Sequence, residues 1–419
     1  MRLLLPLLLL STPLAASIVG RVVSPESLSA TRIDRSPVAD KAVWLAYLRR
    51  SEDAMRADKA ALAAERRAGQ PVPLPPREAK GGATGLALDR VPAWYASAEA
   101  KAIADTVVSF QTPAGGWGKN LDRTAPPRAP GQSWTGGDAK AGAHATQDGA
   151  GGWSFVGTLD NDATIAELRF LARVHANAPD PRYRAAFLKG VAYLLQAQYP
   201  NGGWPQVYPL QGGYHDALTL NDDTMIHAVA LLRDVAAGGG DFAFVPPETR
   251  GAAAAAVELA TRTLLAAQVV TGGKRTIWAQ QYDPLTLQPV AARAFEPVAL
   301  ATGESAAVLR FLMAQPNPSP AMRAAIEAGV AWFRDHAVRN GEWTRTPGGR
   351  RLVAKPGAAP LWARFYDPQT GKPVFGDRDG AVHDDVNAIS RERRDGYSWF
   401  NTSGASLLAA YDTWRRRQG

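Results

Sequence analysis

The sequence predicts a mainly α fold: a toroid of stacked helical hairpins, with long loops and a few short strands gathered at one end as a groove. Three observations carry this. Ala/Leu-rich segments recur with apolar residues at three- and four-residue spacing, strand-like runs are few and short, and a tryptophan loop repeats between the helical segments. The helical segments lie near 96–111, 160–176, 182–199, 221–236, 252–270, 302–314, 320–338 and 404–416. The strand-like runs lie around 275–281, 351–354 and 361–366.

In chain order, the first element is an export leader. Met1-Arg2 is followed by Leu3 to Leu10, broken only by Pro6, and then by the small residues Ala15, Ala16 and Ser17. This is the pattern of a signal peptide over 1–17, and its apolar run is far short of the roughly 20 residues a spanning helix needs. Residues 38–68 read as a charged helix, ended by the Pro-rich stretch 69–77 and the pair Gly81-Gly82. Residues 18–90 are therefore expected to form an N-terminal helical arm or subdomain, and 91–419 the main toroidal domain.

Within that domain Trp117, Trp204, Trp278 and Trp362 recur at separations of 87, 74 and 84 residues. The last two begin near-copies, Trp278-Ala-Gln-Gln-Tyr-Asp-Pro and Trp362-Ala-Arg-Phe-Tyr-Asp-Pro; the first two end Gln111-Thr-Pro-Ala-Gly-Gly-Trp117 and Gln198-Tyr-Pro-Asn-Gly-Gly-Trp204. Uneven spacing and few copies favour a closed toroid over a linear solenoid.

Composition narrows the function. The chain has 419 residues, with 47 Lys+Arg against 39 Asp+Glu, a formal charge of +8, and no Cys. Without Cys there is no disulfide, thiolate zinc site, iron–sulfur centre or cysteine nucleophile. The basic excess points to an acidic partner, and the leader turns it toward a polyanion outside the cytoplasm rather than nucleic acid. HExxH, GxSxG, Walker and strand-linked GxGxxG signatures are all missing.

Two clusters carry chemistry. Thr158-Leu-Asp-Asn-Asp-Ala-Thr-Ile165 and Thr219-Leu-Asn-Asp-Asp-Thr-Met-Ile226 align without a gap, each just before an apolar helical run. Helix capping explains one Asp or Asn in such a place, not three in each of two. Oxygen ligands from Asp160, Asn161, Asp222 and Asp223 would suit Ca²⁺, which accepts carboxylates, amide carbonyls and waters. Asp160 and Asp222 would equally serve as the acid and base of a glycoside hydrolase. The second cluster is basic: Arg293, Arg378, Arg391, Arg393 and Arg394 lie after the third and fourth tryptophan loops, and Arg pairs with carboxylates through two parallel hydrogen bonds. Tyr397, Trp399 and the Gly-Gly-Trp loops add aromatic faces on which sugar rings would stack.

Together these motifs resemble the family 10 polysaccharide lyases, pectate lyases built on an (α/α)₃ toroid. The resemblance rests on Tyr95, Gln111 to Asn120, Thr158 to Thr164, Gln198 to Gln206, Asn221 to Met225, Ala292-Arg-Ala-Phe-Glu296, Gly303-Glu-Ser305 and Gly396-Tyr-Ser-Trp399, and it covers about 91–419 in order. It implies an exported, monomeric, Ca²⁺-dependent enzyme that cleaves polygalacturonate by β-elimination. Asp160 and Asp222, with Asp223 and Asn161 beside them, match the Ca²⁺ site. Arg293 matches the catalytic base, Arg378 the arginine that binds the substrate carboxylate, and Lys119, Arg393 and Tyr397 further substrate contacts. The chain departs from the family pattern at Phe295, where Tyr is common, and at Val298-Ala-Leu. A non-catalytic pectin-binding protein that keeps the groove would share the same motifs.

Overall fold

Buried tryptophans set the plan of the molecule. In the computed structural model, which describes residues 17–79, 85–136, 153 and 155–418, Trp117, Trp204, Trp278 and Trp362 are all in the core. Each indole N–H donates to a carbonyl near the end of the helix before it: Val107 at 2.7 Å, Leu194 at 2.8 Å, Leu264 at 2.7 Å and Phe333 at 2.9 Å. Gln111, Gln198 and Gln268 repeat a second tie, each side-chain amide donating both within its own loop and to the next outer helix, at Ala186, Ala256 and Ala325. The sequence expectation that these loop tryptophans stack on sugar is therefore corrected. Their polar tips are spent on buried carbonyls, which would otherwise lack partners.

The helices are α1 (Ala30–Arg35), α2 (Lys41–Glu65), α3 (Ala98–Ser109), α4 (Ile165–Asn177), α5 (Pro181–Ala197), α6 (Thr224–Ala237), α7 (Pro247–Ala267), α8 (Thr302–Met313), α9 (Pro320–Asp335), α10 (Arg391–Gly396) and α11 (Ser403–Gln418). Three hairpins, α4–α5, α6–α7 and α8–α9, pack side by side. Helices α4, α6, α8 and α11 form one layer, and α3, α5, α7 and α9 the other, giving the (α/α)₃ toroid. Ser97, Asp180 and Ser319 cap α3, α5 and α9 through their side chains, and Pro181 and Pro320 fill the first turn. Every tryptophan loop runs from an outer helix to an inner one, so the residues that precede α4, α6, α8 and α11 collect at one end.

Short two-residue strands tie the loops together, Leu218–Thr219 with Gln281–Tyr282, Leu300–Ala301 with Phe365–Tyr366 and Trp362–Ala363 with Phe400–Asn401, and Ile18–Arg21 pairs antiparallel with Ala381–His383, which pairs in turn with Phe375–Gly376. A hairpin of Gly341–Thr346 with Gly349–Ala354 extends the sequence-predicted 351–354 run. Its first strand carries a single large apolar residue, Trp343, which gives too little alternation to read. The leader's residues 1–16 and the pair Gly81-Gly82 lie outside the described residues. Among the described residues no helix is long and apolar enough to cross a membrane.

The 38–68 helix is α2, and it braces the loop end of the toroid. Trp44 and Tyr47 pack on Tyr199, at ring separations of 5.5 and 4.9 Å. Tyr47 also donates to the Ala197 carbonyl, and Ser51 accepts from Leu210 N–H at 2.8 Å. Asp58, fully buried, accepts from Ala114 N–H at 2.8 Å inside the first tryptophan loop, while its second oxygen has no partner.

Burial pushes the Asp58 carboxyl up to about 6, against the Ala114 hydrogen bond and the Lys189 charge. A carboxyl raised in the folded state costs stability while it is ionised, and that cost is relieved as pH falls through about 6. In Asp58→Asn the amide oxygen keeps the Ala114 bond without the charge. The thermal midpoint of the variant relative to wild type should therefore rise as pH is raised from 5 to 7.5. A difference that stays constant with pH would show that Asp58 is not buried in its ionised form.

Candidate active site

The two acid clusters are not helix caps. Neither α4 nor α6 has a side-chain cap bond at its start, and both helices begin after the clusters, at Ile165 and Thr224. Asn161, Asp162 and Thr164 take φ values of +53°, +62° and +68°, and Asp222 and Asp223 +51° and +56°. Such left-handed residues each cost about 1 kcal/mol or more, so the surroundings must hold them. Thr158 Oγ1 accepts from Asp160 N–H at 3.1 Å, Thr164 Oγ1 donates to the Thr158 carbonyl at 2.8 Å, and Thr224 Oγ1 donates to the Asn221 carbonyl at 2.7 Å. Turned out of helical register, Asp160, Asn161, Asn221 and Asp222 line one cavity of about 230 Å³.

The tryptophan loops supply the opposite walls by a simple rule. The residue two places after each anchored tryptophan reaches the groove: Lys119, Gln206 and Gln280 line this cavity, and Arg364 lines the adjoining one. Lys119 pairs with Asp160 and sits 3.5 Å from the centre of the Phe155 ring. The side-chain oxygens of Gln206 and Gln280 are buried without partners, leaving acceptors for hydroxyl groups. His215, also in the wall, is held neutral: burial, with Lys119 next, pushes its pKa down to about 4.

Burial also pushes Asp222 up to about 6, with the Asp160 charge adding to it and Arg364 opposing it. Asn221 bridges the two, its amide donating to Asp222 at 2.7 Å and its carbonyl accepting from Arg364 Nη2 at 3.1 Å. Arg364 in turn pairs with buried Glu304 at 2.9 Å. Two carboxylates and nearby amide oxygens, short of positive charge, make a hard-oxygen set that fits a divalent cation of the Ca²⁺ type. Asp223 is not part of it. It does not line the cavity, and Glu304, His227, Asp222 and Asp162 are its charged neighbours. Among the described residues no three Asp, Glu or His side chains converge as a metal cluster, and of the expected Asp160, Asp222 and Asp223 the first two line the cavity, beside Asn161 and Asn221.

Arg293 closes the cavity from the third loop. Its Nε donates to Glu296 Oε2 at 2.8 Å and its Nη2 to Oε1, while Tyr397 Oη donates to the same carboxylate at 2.6 Å. Burial alone would lower the Arg293 pKa, but the Glu296 hydrogen bond and charge outweigh it and hold the guanidinium protonated. Nη1 has no protein partner among the described residues.

Residues 111–408 match the pectic acid lyase family. The chain belongs to that family. It is a family 10 polysaccharide lyase, a pectate lyase. It is similar to the family 10 polysaccharide lyase from Cellvibrio cellulosa at 34% identity and a TM-score of 0.65, over 75% of this chain and 91% of that one. A mutant of the Cellvibrio cellulosa enzyme in complex with trigalacturonic acid is similar at the same identity and TM-score, over 78% and 98% of the two chains. No curated protein matches the chain.

The pectate lyase cavity thus brings together Lys119, Asp160, Asn161, Asp222 and Arg293, with Tyr397 in the adjoining wall. Arg378 and Arg393 do not line it but stand beside Arg293. Glu392 pairs with both, and their guanidinium groups lie 5.4 and 4.5 Å from the centre of the Phe295 ring, with Arg293 at 4.8 Å. Arg378 is half exposed at the rim. Arg394 is spent on backbone carbonyls, donating to Arg350 at 2.9 Å and to Ile389. Arg364, Gln206 and Gln280 were missed by sequence reasoning, although the Trp-x-Lys119 spacing, carried through the other three loops, points to each of them.

Replacing Arg364 leaves Glu304 buried and unpaired, so Arg364→Gln should cost about 2–3 kcal/mol of stability and lower turnover on polygalacturonate on the order of a hundredfold. Arg378→Gln should shift stability by no more than about 0.5 kcal/mol and activity far less. Thermal unfolding and initial rates of both variants check the order; a larger activity loss in Arg378→Gln would reverse it.

Proposed function

We infer that the chain is an exported, Ca²⁺-dependent pectate lyase that acts as a monomer on α-1,4-polygalacturonate and releases 4,5-unsaturated oligogalacturonides by β-elimination. The observation that carries this reading is the convergence of Asp160 and Asp222 with Arg293 and Arg364 around adjoining cavities sized for a sugar chain. The basic excess of the chain and the leader motif support a polyanionic substrate outside the cytoplasm and no nucleic-acid or membrane partner. The trigalacturonic acid held by the similar enzyme supports the sugar class.

Asp160 and Asp222, with Asn161 and Asn221, would hold the Ca²⁺. When bound, the ion supplies positive charge at the uronate carboxylate, whose oxygens gain charge as the C5 proton leaves. Arg364, fixed by Glu304 and Asn221, binds and orients that carboxylate, and Lys119 and the two glutamines take the ring hydroxyls. Arg293, in its neutral guanidine form, would receive the C5 proton and become the guanidinium. The electron pair left at C5 forms the C4=C5 double bond as the C4–O bond breaks, and the departing oxygen takes a proton from water. Glu296 opposes a basic Arg293, whereas positive charge beside it favours the neutral guanidine. Loading the carboxylates with a cation therefore shifts Arg293 in the direction a base requires.

Incubation with polygalacturonate should give rising ultraviolet absorbance from the unsaturated uronide, abolished by a chelator and restored by Ca²⁺. Arg293→Ala should lower the rate by roughly a hundred- to ten-thousandfold. Reducing ends without the chromophore would instead mark a hydrolase using Asp160 and Asp222, and binding without turnover, unchanged in Arg293→Ala, a pectin-binding protein.

A further inference from the structure

Beyond the cleavage cavity, a second cavity of about 490 Å³ shares Asp222 and Arg293 with it and runs outward past Arg364 and Tyr397. Its far wall is the hairpin of Gly341–Thr346 and Gly349–Ala354, which contributes Trp343 and Arg350. The register sets Trp343 opposite Leu352 and Arg345 opposite Arg350, so all four project from one face of the two-stranded sheet. Two arginines directly opposite each other repel, and an anion bound beside them would relieve that repulsion. Asp395 also lines the cavity; it accepts the Arg350 backbone N–H at 2.6 Å, pairs with Arg391 and feels the Arg345 charge, but makes no ion pair with the Arg350 guanidinium. The Arg350 guanidinium itself makes no hydrogen bond or ion pair among the described residues. Trp343 differs from the loop tryptophans in being only partly buried, and it leans on Phe400 at a ring separation of 5.2 Å, with an edge and face left to the cavity.

We propose that this hairpin forms a distal subsite for a galacturonate unit remote from the bond that is cut, with Arg350 binding the carboxylate and Trp343 carrying the sugar ring. The inference rests on the pectate lyase reading above. A planar guanidinium with no protein partner offers two parallel hydrogen bonds to a carboxylate, and Arg345 adds charge from the opposite strand. An apolar ring beside it matches the apolar face of a pyranose. Because the subsite binds substrate and transition state alike, it acts on KM and leaves kcat nearly alone.

The test is a chain-length series. Initial rates are measured on galacturonate oligomers from trimer to octamer and on polygalacturonate, for wild type, Arg350→Gln, Trp343→Ala and Arg351→Gln, the last on the hairpin's other face. Arg350→Gln and Trp343→Ala should raise KM on the longest oligomers about tenfold, with a smaller effect on the shortest one cleaved. Arg351→Gln should match wild type at every length. Thermal midpoints show whether each variant is folded. Should Trp343→Ala unfold, Arg350→Gln alone decides, since the hairpin hydrogen bonds do not use its side chain. Equal behaviour of Arg350→Gln and Arg351→Gln across the series would overturn the subsite. Absence of any unsaturated product from wild type would overturn the lyase reading instead.

Discussion

The rest of the structure depends on the hydrogen bond from each loop tryptophan to the carbonyl of the preceding helix. A fully buried indole placed in this way fixes both the depth and the direction of its loop, because neither the ring nor the N–H has an alternative partner. Two residues on, the chain has turned back to the groove, and Lys119, Gln206, Gln280 and Arg364 emerge at equivalent places. The toroid is in this sense one device used four times, with a different polar residue at each tip.

The second constraint is electrostatic. Asp160 and Asp222 are forced together by two loops that share an unfavourable left-handed turn, and burial and mutual charge push Asp222 up to about 6. Lys119 and Arg364 offset part of that repulsion, one on each side. A cation bound by both carboxylates would relieve it, and would also oppose the Glu296 contact that keeps Arg293 protonated. On the proposed reading, a cation there and a base at Arg293 would be linked through the same local field.

Much of the fold was legible. Helix periodicity located α3 to α9 and α11, since amphipathic packing between two helical layers imposes that spacing on the sequence. The acid clusters were legible because they repeat. Their start as helices at 160 and 221 was not, because left-handed backbone at Asn161 and Asp222 is imposed by Thr158, Thr164 and Thr224 from within each folded loop. Arg378 and Arg393 enter by resemblance, and no sequence pattern signals that Glu392 pairs with both.

By itself the sequence determined the family, the toroid of hairpins, the pairing of the Asp160 and Asp222 loops, and Arg293 in the third loop, since all are written as local patterns or repeats. Only the tertiary structure decided which charges are free. Arg350 lines a cavity with no ion-pair partner among the described residues, Arg364 lines it while paired with Glu304, Arg378 and Arg393 pair with Glu392, and Asp222 lines the groove where Asp223 does not. Charge type is a property of a residue, but whether that charge is already neutralised depends on neighbours far away in the chain, as Glu304 is from Arg364 and Asp283 from Arg32.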